Sequence, residues 1–405
     1  GLVDILCEAC ERLKWKEPSK IQRETIPVAL SGRDIIGLAE TGSGKTGAFA
    51  LPIIQALLEK QTKLFALILT PTRELAVQIS EQFEALGASI NLKCAVVIGG
   101  VDLNTQKLML EKRPHIVIAT PGRMVDHLKH TKGFNFKTLK YLVIDEADRL
   151  LNKDFEKEFD AILSAIPKIR NTYLFSATMT KKVAKLQRAS LNDPVKVEVS
   201  NKFQTVSKLK QKHLFIPEKF KNIYLVYLLN EIGDKSIIIF CNTCIHVQEA
   251  TLMLRYLGFS SIPLHGQLSQ NQRLGVLNKF KSKEKSILIA TDVASRGLDI
   301  PHVDVVINLY VPMHSKDYIH RVGRTARAGR DGESFIFVTQ YDVMLFLKIE
   351  EQLGHEIEQY NPIEDEVMVY MDTVNKAYIM AQQACVEELL FCCCNFMVFP
   401  SFNYF

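Results

Sequence analysis

No stretch of this sequence approaches the roughly 18 consecutive apolar residues that a membrane-spanning helix needs. The longest candidate, LLFCCCNFMVF at 389–399, is short and is broken by Asn395. A basic, then apolar leader ending in small residues is also missing, so the expectation is a protein that is neither secreted nor held in a membrane. Cysteine occurs nine times, but never as the two C-x-x-C pairs within about 15–20 residues that a zinc ribbon requires. Cys7/Cys10 and Cys241/Cys244 lie far apart, and the first pair sits in LVDILCEACERL, whose apolar positions fit one helix face. An odd count without a leader points to a reducing compartment.

Acidic charge falls short of basic charge over most of the chain. The formal charge is +5, but residues 361–405 hold one Lys and six acids, leaving 49 basic and 39 acidic residues, or +10, in residues 1–360. A mildly basic body suits a polyanionic partner, although many proteins without one share that balance. Hydrophobic residues make up 47% of 405, which excludes disorder and, at about 150 residues per domain, allows two or three cores.

Short β-branched runs alternate with helical stretches throughout. DIIGLA, LFALILT, CAVVIGG, HIVIAT, YLVIDEAD and TYLFSAT in the first half read as buried strands, near-continuously apolar as in a parallel sheet covered on both faces. RELAVQISEQFEALG between them is an amphipathic helix that Gly87 should end. KSIIIFCNT, SSIPLHG, KSILIATD, DVVINLY and GESFIFVT repeat the pattern in the second half. The class is α/β, twice. The polar stretch VSNKFQTVSKLKQKHLF at 199–215 separates the two series, which places a first domain at 1–200, a linker at 201–210, a second domain at 211–360 and a tail at 361–405. In such sheets ligands bind at the carboxyl ends of the strands, and every motif below falls at a strand end.

AETGSGKT, residues 39–46, matches the phosphate loop G-x-x-x-x-G-K-[ST] except that Ala39 replaces the first glycine. The context is right: DIIGLA supplies a strand and KTGAFALPIIQALLEK a helix. Gly42 and Gly44 would let backbone amides close on phosphate oxygens. Lys45 would neutralise the β- and γ-phosphates of ATP, and Thr46 would hold Mg²⁺. In VIDEAD, Asp145 ends a strand and can hold Mg²⁺ through water, while Glu146 is placed to deprotonate the attacking water. A solvated acidic turn is the competing reading.

With these residues in view, the sequence resembles the DEAD-box RNA helicases of superfamily 2. That family writes its loop with Ala39 and its acidic motif as Asp145-Glu146-Ala147-Asp148, followed in order by PTRELA (71–76), GG (99–100), TPGR (120–123) and SAT (176–178). The second half adds IIIFCNT (237–243), Gln270-x-x-Arg273, ATDVASRGLD (290–299) and HRVGRTARAGR (320–330). The likeness covers about residues 5–350, and the finer wording is most like a nucleolar ribosome-biogenesis branch. It implies two tandem RecA-like domains, each a parallel sheet covered by helices, joined by a short linker.

The resemblance implies the following roles. ATP would be held by Lys20, Gln22, Ala39, Glu40, Thr41, Gly42, Ser43, Gly44, Lys45 and Thr46, with Gly297 and Asp299 from the second domain. EPSKIQ (17–22) is similar to the adenine-reading motif, with Gln22 on the base edge, or Gln22 is a plain helix-surface amide. The family usually has Gly where Lys14 stands and Thr where Ser19 stands, and its stacking aromatic would fall before residue 1, so the chain reads as trimmed. Ser176 and Thr178 would link Asp148 to domain closure, or be turn formers. Arg321, Arg324 and Arg327 would share one side if helical, as a basic solvated face would. Arg324 and Arg327 resemble arginine fingers, His320 would contact the acidic loop, and Ala326 stands where the family has Gly.

RNA would be met by Pro71, Thr72, Arg73, Gly100, Thr120, Pro121, Gly122, Arg123, Gln270, Arg273 and Thr291. No aromatic ladder accompanies them, and FNF (134–136) is expected inside, so backbone readout without base specificity is expected. The implied activity is an RNA-stimulated ATPase that unwinds short duplexes, with ATP and RNA closing the two domains. Its place would be ribosomal RNA processing in the nucleus and nucleolus, beside ribosome-assembly proteins and as a monomer. Competing readings are an ATP-gated RNA clamp or scaffold, or a disabled product. The tail motivates the last: no continuous helical pattern shows after PIEDEVM, no Lys/Arg cluster remains, and an apolar, Cys-rich patch at 389–399 would invite aggregation.

Overall fold

The computed structural model describes residues 1–39, 42–152, 155–199, 209–292, 303–326 and 331–396; the side chains of 152, 156, 189, 316 and 388–396 are not described. Glu40, Thr41, Gly297, Asp299, Arg327, most of the expected linker and the end of the tail therefore lie outside the described residues. The chain divides into two compact units near residue 202.

The first unit holds seven strands: β1 (Ile35–Ala39), β2 (Ala66–Leu69), β3 (Cys94–Val97), β4 (Ile116–Ala119), β5 (Tyr141–Ile144), β6 (Asn171–Ser176) and β7 (Val195–Val199). They form one sheet in the order β3-β4-β2-β5-β6-β1-β7, and every pairing is parallel. Alternate residues point to opposite faces of a strand, so each face builds its own core. Ile35, Ile68, Val143, Tyr173 and Phe175 join Phe49, Ile53 and Phe83 on one side. Ile36, Leu38, Leu67, Leu142, Ile144 and Leu174 pack with Phe136 and Phe159 on the other. Gly37 is required within β1, because an added Cβ would collide with the Phe175 ring on β6.

The second unit repeats the plan with β8 (Leu209–Phe215), β9 (Ile237–Cys241), β10 (Ser261–Leu264), β11 (Ile287–Thr291), β12 (Val305–Asn308), β13 (Gly332–Val338) and β14 (Glu358–Gln359). Its order is β10-β11-β9-β12-β13-β8-β14, again parallel throughout. Among the described residues no helix is long and apolar enough to cross a membrane.

Three local expectations need correction. The polar stretch at 199–215 is not wholly a break: Val199 ends β7, and residues 209–215 are β8, paired along its length with β13. Its polar side chains hide the strand because they use their stems and rings. Lys212 lies over the Phe335 and Tyr360 rings, His213 packs on Phe346, and Gln211 accepts from the Tyr318 hydroxyl.

The tail is helical where it is described, from Met371 to Phe396. Val374, Ala377, Ala381 and Cys385 are buried, a three-four-four spacing that makes one helix face, set against the helices Lys221–Ile232 and Cys244–Tyr256. Exposed Ile379, Met380 and Val386 on the other faces blur that stripe in the sequence. The expected patch at 389–399 falls beyond the described side chains.

Nor do the arginines share one helix. Ser315–Val322 ends at a Gly323 cap, so only Arg321 is helical and Arg324 follows in a turn.

Candidate nucleotide and RNA site

Strand order brings the ends of β1, β6 and β5 side by side, and the registers Leu38↔Ser176 and Ile144↔Leu174 level those ends. Gly42 and Gly44 adopt φ of +84° and +94°, the left-handed region that glycine enters without strain. Gly44 caps the helix Lys45–Glu59, whose amide end and dipole suit an anion. Lys45 is buried and its Nζ donates to the Ala39 carbonyl at 2.9 Å. That contact uses only backbone at position 39, and the Ala39 side chain is buried in the core. Glycine is therefore dispensable there.

Gln22 is 7% exposed. Its Oε1 accepts from the Ser19 amide at 2.9 Å and its Nε2 donates to the Gly44 carbonyl at 3.0 Å. It is not a plain surface amide: it ties the helix Lys20–Leu30 to the phosphate loop. Trp15 joins this support, since a Cβ on Gly47 would stand 2.8 Å from its ring and 2.6 Å from Gln22 Nε2. Lys20 is exposed at the start of its helix, and Thr46 is half-buried beside Lys45.

Asp145, Glu146 and Asp148 follow β5 and are buried. Burial pushes the Asp145 carboxyl up to about 6; Lys45 opposes this and Glu146 adds to it. A carboxylate that water solvates poorly is one that a cation would stabilise. Asp145 Oδ1 accepts from the Glu146 amide at 2.9 Å. Glu146 sits at φ +52°, a strained setting for a non-glycine residue, and its Oε2 meets Arg149 Nη1 at 2.8 Å. Asp148 Oδ2 accepts from Thr178 Oγ1 at 3.0 Å, and the Asp148 amide donates to Ser176 Oγ at 3.3 Å. Ser176 Oγ in turn donates to the Thr178 carbonyl at 2.8 Å. The serine and threonine hydroxyls thus bind the acidic turn to the end of β6.

The neighbouring strand ends, β2, β4 and β3, carry the RNA candidates. Thr72 caps the helix Arg73–Leu86, accepting from the Leu75 amide, while Thr120 and Pro121 open the helix Pro121–His130. Gly100 has φ +79°, and the Arg73 guanidinium lies so close to Gly99 and Gly100 that side chains there would overlap it. Arg123 Nη1 donates to the Val101 carbonyl at 2.7 Å. Beneath them Gln106 Nε2 donates to the Ile98 carbonyl at 2.7 Å, its Oε1 lies 3.3 Å from His127 Nε2, and His127 Nδ1 lies 2.8 Å from Thr131 Oγ1. These side chains join the loops after β3 and β4 into one surface.

In the second unit Gln270 opens the helix Gln270–Lys281, buried, with neither amide atom partnered among the described residues. An amide in that state suits a polar ligand or ordered water. Arg273 is half-buried on the same helix, and Thr291 ends β11. Arg324 is buried and His320 half-buried. The residue that the sequence undervalued is Arg321, 1% exposed. Its Nε and Nη2 reach both Asp292 oxygens at 2.7 Å, Nη1 donates to the Tyr310 carbonyl at 2.7 Å, and Nη2 donates to Asn242 Oδ1 at 3.2 Å. One guanidinium thereby joins the ends of β9, β11 and β12. Trp15, Gln106, His127 and Arg149 were also missed; the lone tryptophan beside EPSKIQ was the one available signal.

Two parallel sheets covered by helices, with a phosphate loop on the first and buried Arg321 and Arg324 on the second, define a protein of tandem RecA-like domains. The chain belongs to the DEAD/DEAH box helicases: residues 19–186 match that domain and residues 219–329 match the helicase conserved C-terminal domain. It is 65% identical over 388 residues to the mouse "Probable ATP-dependent RNA helicase DDX47", covering 96% of this chain and 85% of that one. To the "ATP-dependent rRNA helicase RRP3" of Ajellomyces capsulatus it is 60% identical over 378 residues, 93% of this chain and 78% of the other. Among solved structures, Mss116p bound to ssRNA and AMP-PNP superposes with a TM-score of 0.82 at 29% identity, covering 96% of this chain and 85% of that one. S. cerevisiae Dbp5 bound to RNA and ADP BeF3 gives 0.80 at 26%, covering 93% and 98%. This likeness agrees with the expected fold and with the branch that the motif wording resembled.

Proposed function

We infer that this chain is an ATP-dependent RNA helicase acting on ribosomal RNA. The observation that carries the reading is the continuous edge of the first sheet, where the Lys45, Asp145 and Glu146 cluster stands beside the loops of Thr72, Gly100 and Arg123. Family membership and relatives named as ATP-dependent RNA and rRNA helicases support it. RNA-bound structures of similar proteins support it further.

ATP is held at its phosphates by the amides after Gly42 and Gly44 and by Lys45, whose ammonium exchanges the Ala39 carbonyl for the anion. The donor set fits a magnesium ion: Asp145, its buried carboxylate short of solvation, and Thr46 would hold it, and bound there it supplies positive charge against the phosphates. Glu146 takes the proton of the attacking water once it leaves Arg149. Arg324 and Arg327 are assigned to stabilise the charge that develops on the γ-phosphate. A group in that role contributes about 10³–10⁵ in rate in other phosphoryl-transfer enzymes.

RNA is read through phosphates and sugars by backbone amides, hydroxyls and Arg73, Arg123 and Arg273, without base specificity. Because residues assigned to each ligand come from both units, RNA tightens ATP and ATP tightens RNA by the same factor. Relatives named as rRNA helicases support a role in the nucleolus, beside ribosome-assembly proteins. A duplex-release assay beside a filter-binding assay tests this. Short RNA duplexes should part only when ATP is hydrolysed, whereas ATP-dependent RNA retention without release would make the chain a clamp.

A further inference from the structure

The edge of the first sheet opposite the nucleotide carries a basic surface that the ATP and RNA residues above do not use. Strands β3, β4, β2 and β5 are adjacent, and the connections entering them lie together at their amino ends. Lys93 precedes β3, Lys112 and Arg113 precede β4, Lys63 precedes β2, and Lys137 and Lys140 precede β5; all are exposed. Hydrogen bonds sew these connections into one face. His115 N donates to the Lys93 carbonyl at 2.9 Å, Leu64 N to Pro114 O at 2.7 Å, and Lys140 N to Phe65 O at 2.9 Å. Thr138 Oγ1 donates to the Lys63 carbonyl at 2.8 Å.

No aspartate or glutamate occurs in residues 60–65, 87–93, 112–115 or 131–140. Two acids border these segments: Glu111, 3.9 Å from Lys107, and exposed Glu59, which adjoins Lys60 and, after burial, raises the pKa of Tyr141 at the start of β5. The positive field is felt locally: His115 is held below its ordinary pKa by burial, then by Lys93 and Lys63.

We propose that this face is a second RNA-binding surface, which grips the phosphate backbone of a stem flanking the strand held at the opposite edge. Four adjacent strands span about 14 Å, and strands of four residues separate the two edges by about 13 Å. One folded RNA can reach both. The chemistry favours phosphate over an acidic protein partner. None of the exposed large apolar side chains falls within these four connections, whereas protein interfaces are anchored by buried aromatic or aliphatic groups. A notch of about 240 Å³, lined by Leu64, Arg113, Lys132 and Phe134 with Glu111 at its side, offers one point where a nucleotide can seat. The choice of RNA rests on the helicase reading; the surface itself does not.

The test uses the full chain with Lys63, Lys93, Lys112 and Lys137 each changed to Glu, and a milder variant with Gln at the same positions. A control carries Lys348→Glu and Lys376→Glu, two exposed lysines of the second unit. Binding is titrated against salt with a single strand of about 10 nucleotides and with the same strand bearing a stem. The Glu variant should lose about tenfold or more in affinity for the stem-bearing RNA near 100 mM salt, and its salt slope should fall by about 3. The Gln variant should lie between it and the parent, while the short strand, saturated ATP turnover and the control stay unchanged.

Unchanged stem affinity and slope would overturn the proposal, as would an equal loss on the short strand. Polyglutamate binding that the Glu variant loses, with RNA affinity intact, would assign the face to an acidic protein and also overturn it. A parent chain whose ATPase ignores RNA would instead contradict the helicase reading.

Discussion

Arg149, on the short helix Ala147–Asn152, holds Glu146 in the turn just before that helix at 2.8 Å, with both side chains largely out of solvent. The carboxylate assigned to activate water is thus engaged by the arginine that follows its own acidic motif. Arg149→Met should free it. ATP turnover without RNA is expected to rise about three- to tenfold, since releasing such a pair is worth about 1 kcal/mol, while RNA-saturated turnover changes less. Steady-state hydrolysis with and without RNA checks this; unchanged or lower RNA-free turnover would show that Arg149 orients Glu146 instead of restraining it.

Arg321 predicts a different outcome. Its guanidinium meets two carboxylate oxygens, a backbone carbonyl and an asparagine from three strands, and a lysine cannot reproduce that fork. Arg321→Lys should destabilise the second unit by about 3 kcal/mol, the usual cost of breaking a buried pair. Urea unfolding followed in the second unit measures it, and a change below about 0.5 kcal/mol would contradict the role given to Arg321.

Two departures from the family's glycines fall at backbone positions that favour glycine. Lys14 lies at φ +60° and Ala326 at φ +53°. Each L-residue there costs about 1 kcal/mol. Lys14→Gly and Ala326→Gly should therefore each raise stability by about that amount, less the added freedom of glycine in the unfolded chain. Thermal unfolding of the two variants checks it.

His127 gives the chain a pH dependence. Burial lowers its pKa, Arg123 lowers it further, and Asp126 opposes. Gln106 and Thr131 face its ring nitrogens. Protons then bind the unfolded chain more readily than the folded one, so stability from this group is present above pH 6.5 and is lost as pH falls below it. His127→Gln should flatten that part of the stability–pH curve. An unaltered slope would mean that another group titrates.

Much of this was legible because motifs and strands coincide in a doubly covered parallel sheet. DIIGLA, HIVIAT and YLVIDEAD are apolar on both faces and carry their chemistry at the carboxyl end, so strand and site are read from the same letters. β8 was not legible, since Lys212 and His213 bury carbon and ring surface while reading as polar. The tail helix hid its Val374–Cys385 stripe among apolar neighbours. Arg321 could not be told from Arg324 by spacing, because Gly323 ends the helix between them; both are buried, and only the fold shows that Arg321 is the one that joins three strand ends. The bond from Gln22 to the phosphate loop was not legible either, because the Gly44 carbonyl that it meets is 22 residues away in sequence.

The central claim is that RNA governs ATP hydrolysis through Glu146. Hydrolysis measured with and without single-stranded RNA, for the parent chain and Glu146→Gln, tests it most directly. Strong RNA stimulation in the parent, reduced about a hundredfold or more in the variant while ATP still binds, is the predicted result. Equal rates with and without RNA, or a variant as active as the parent, would contradict the account.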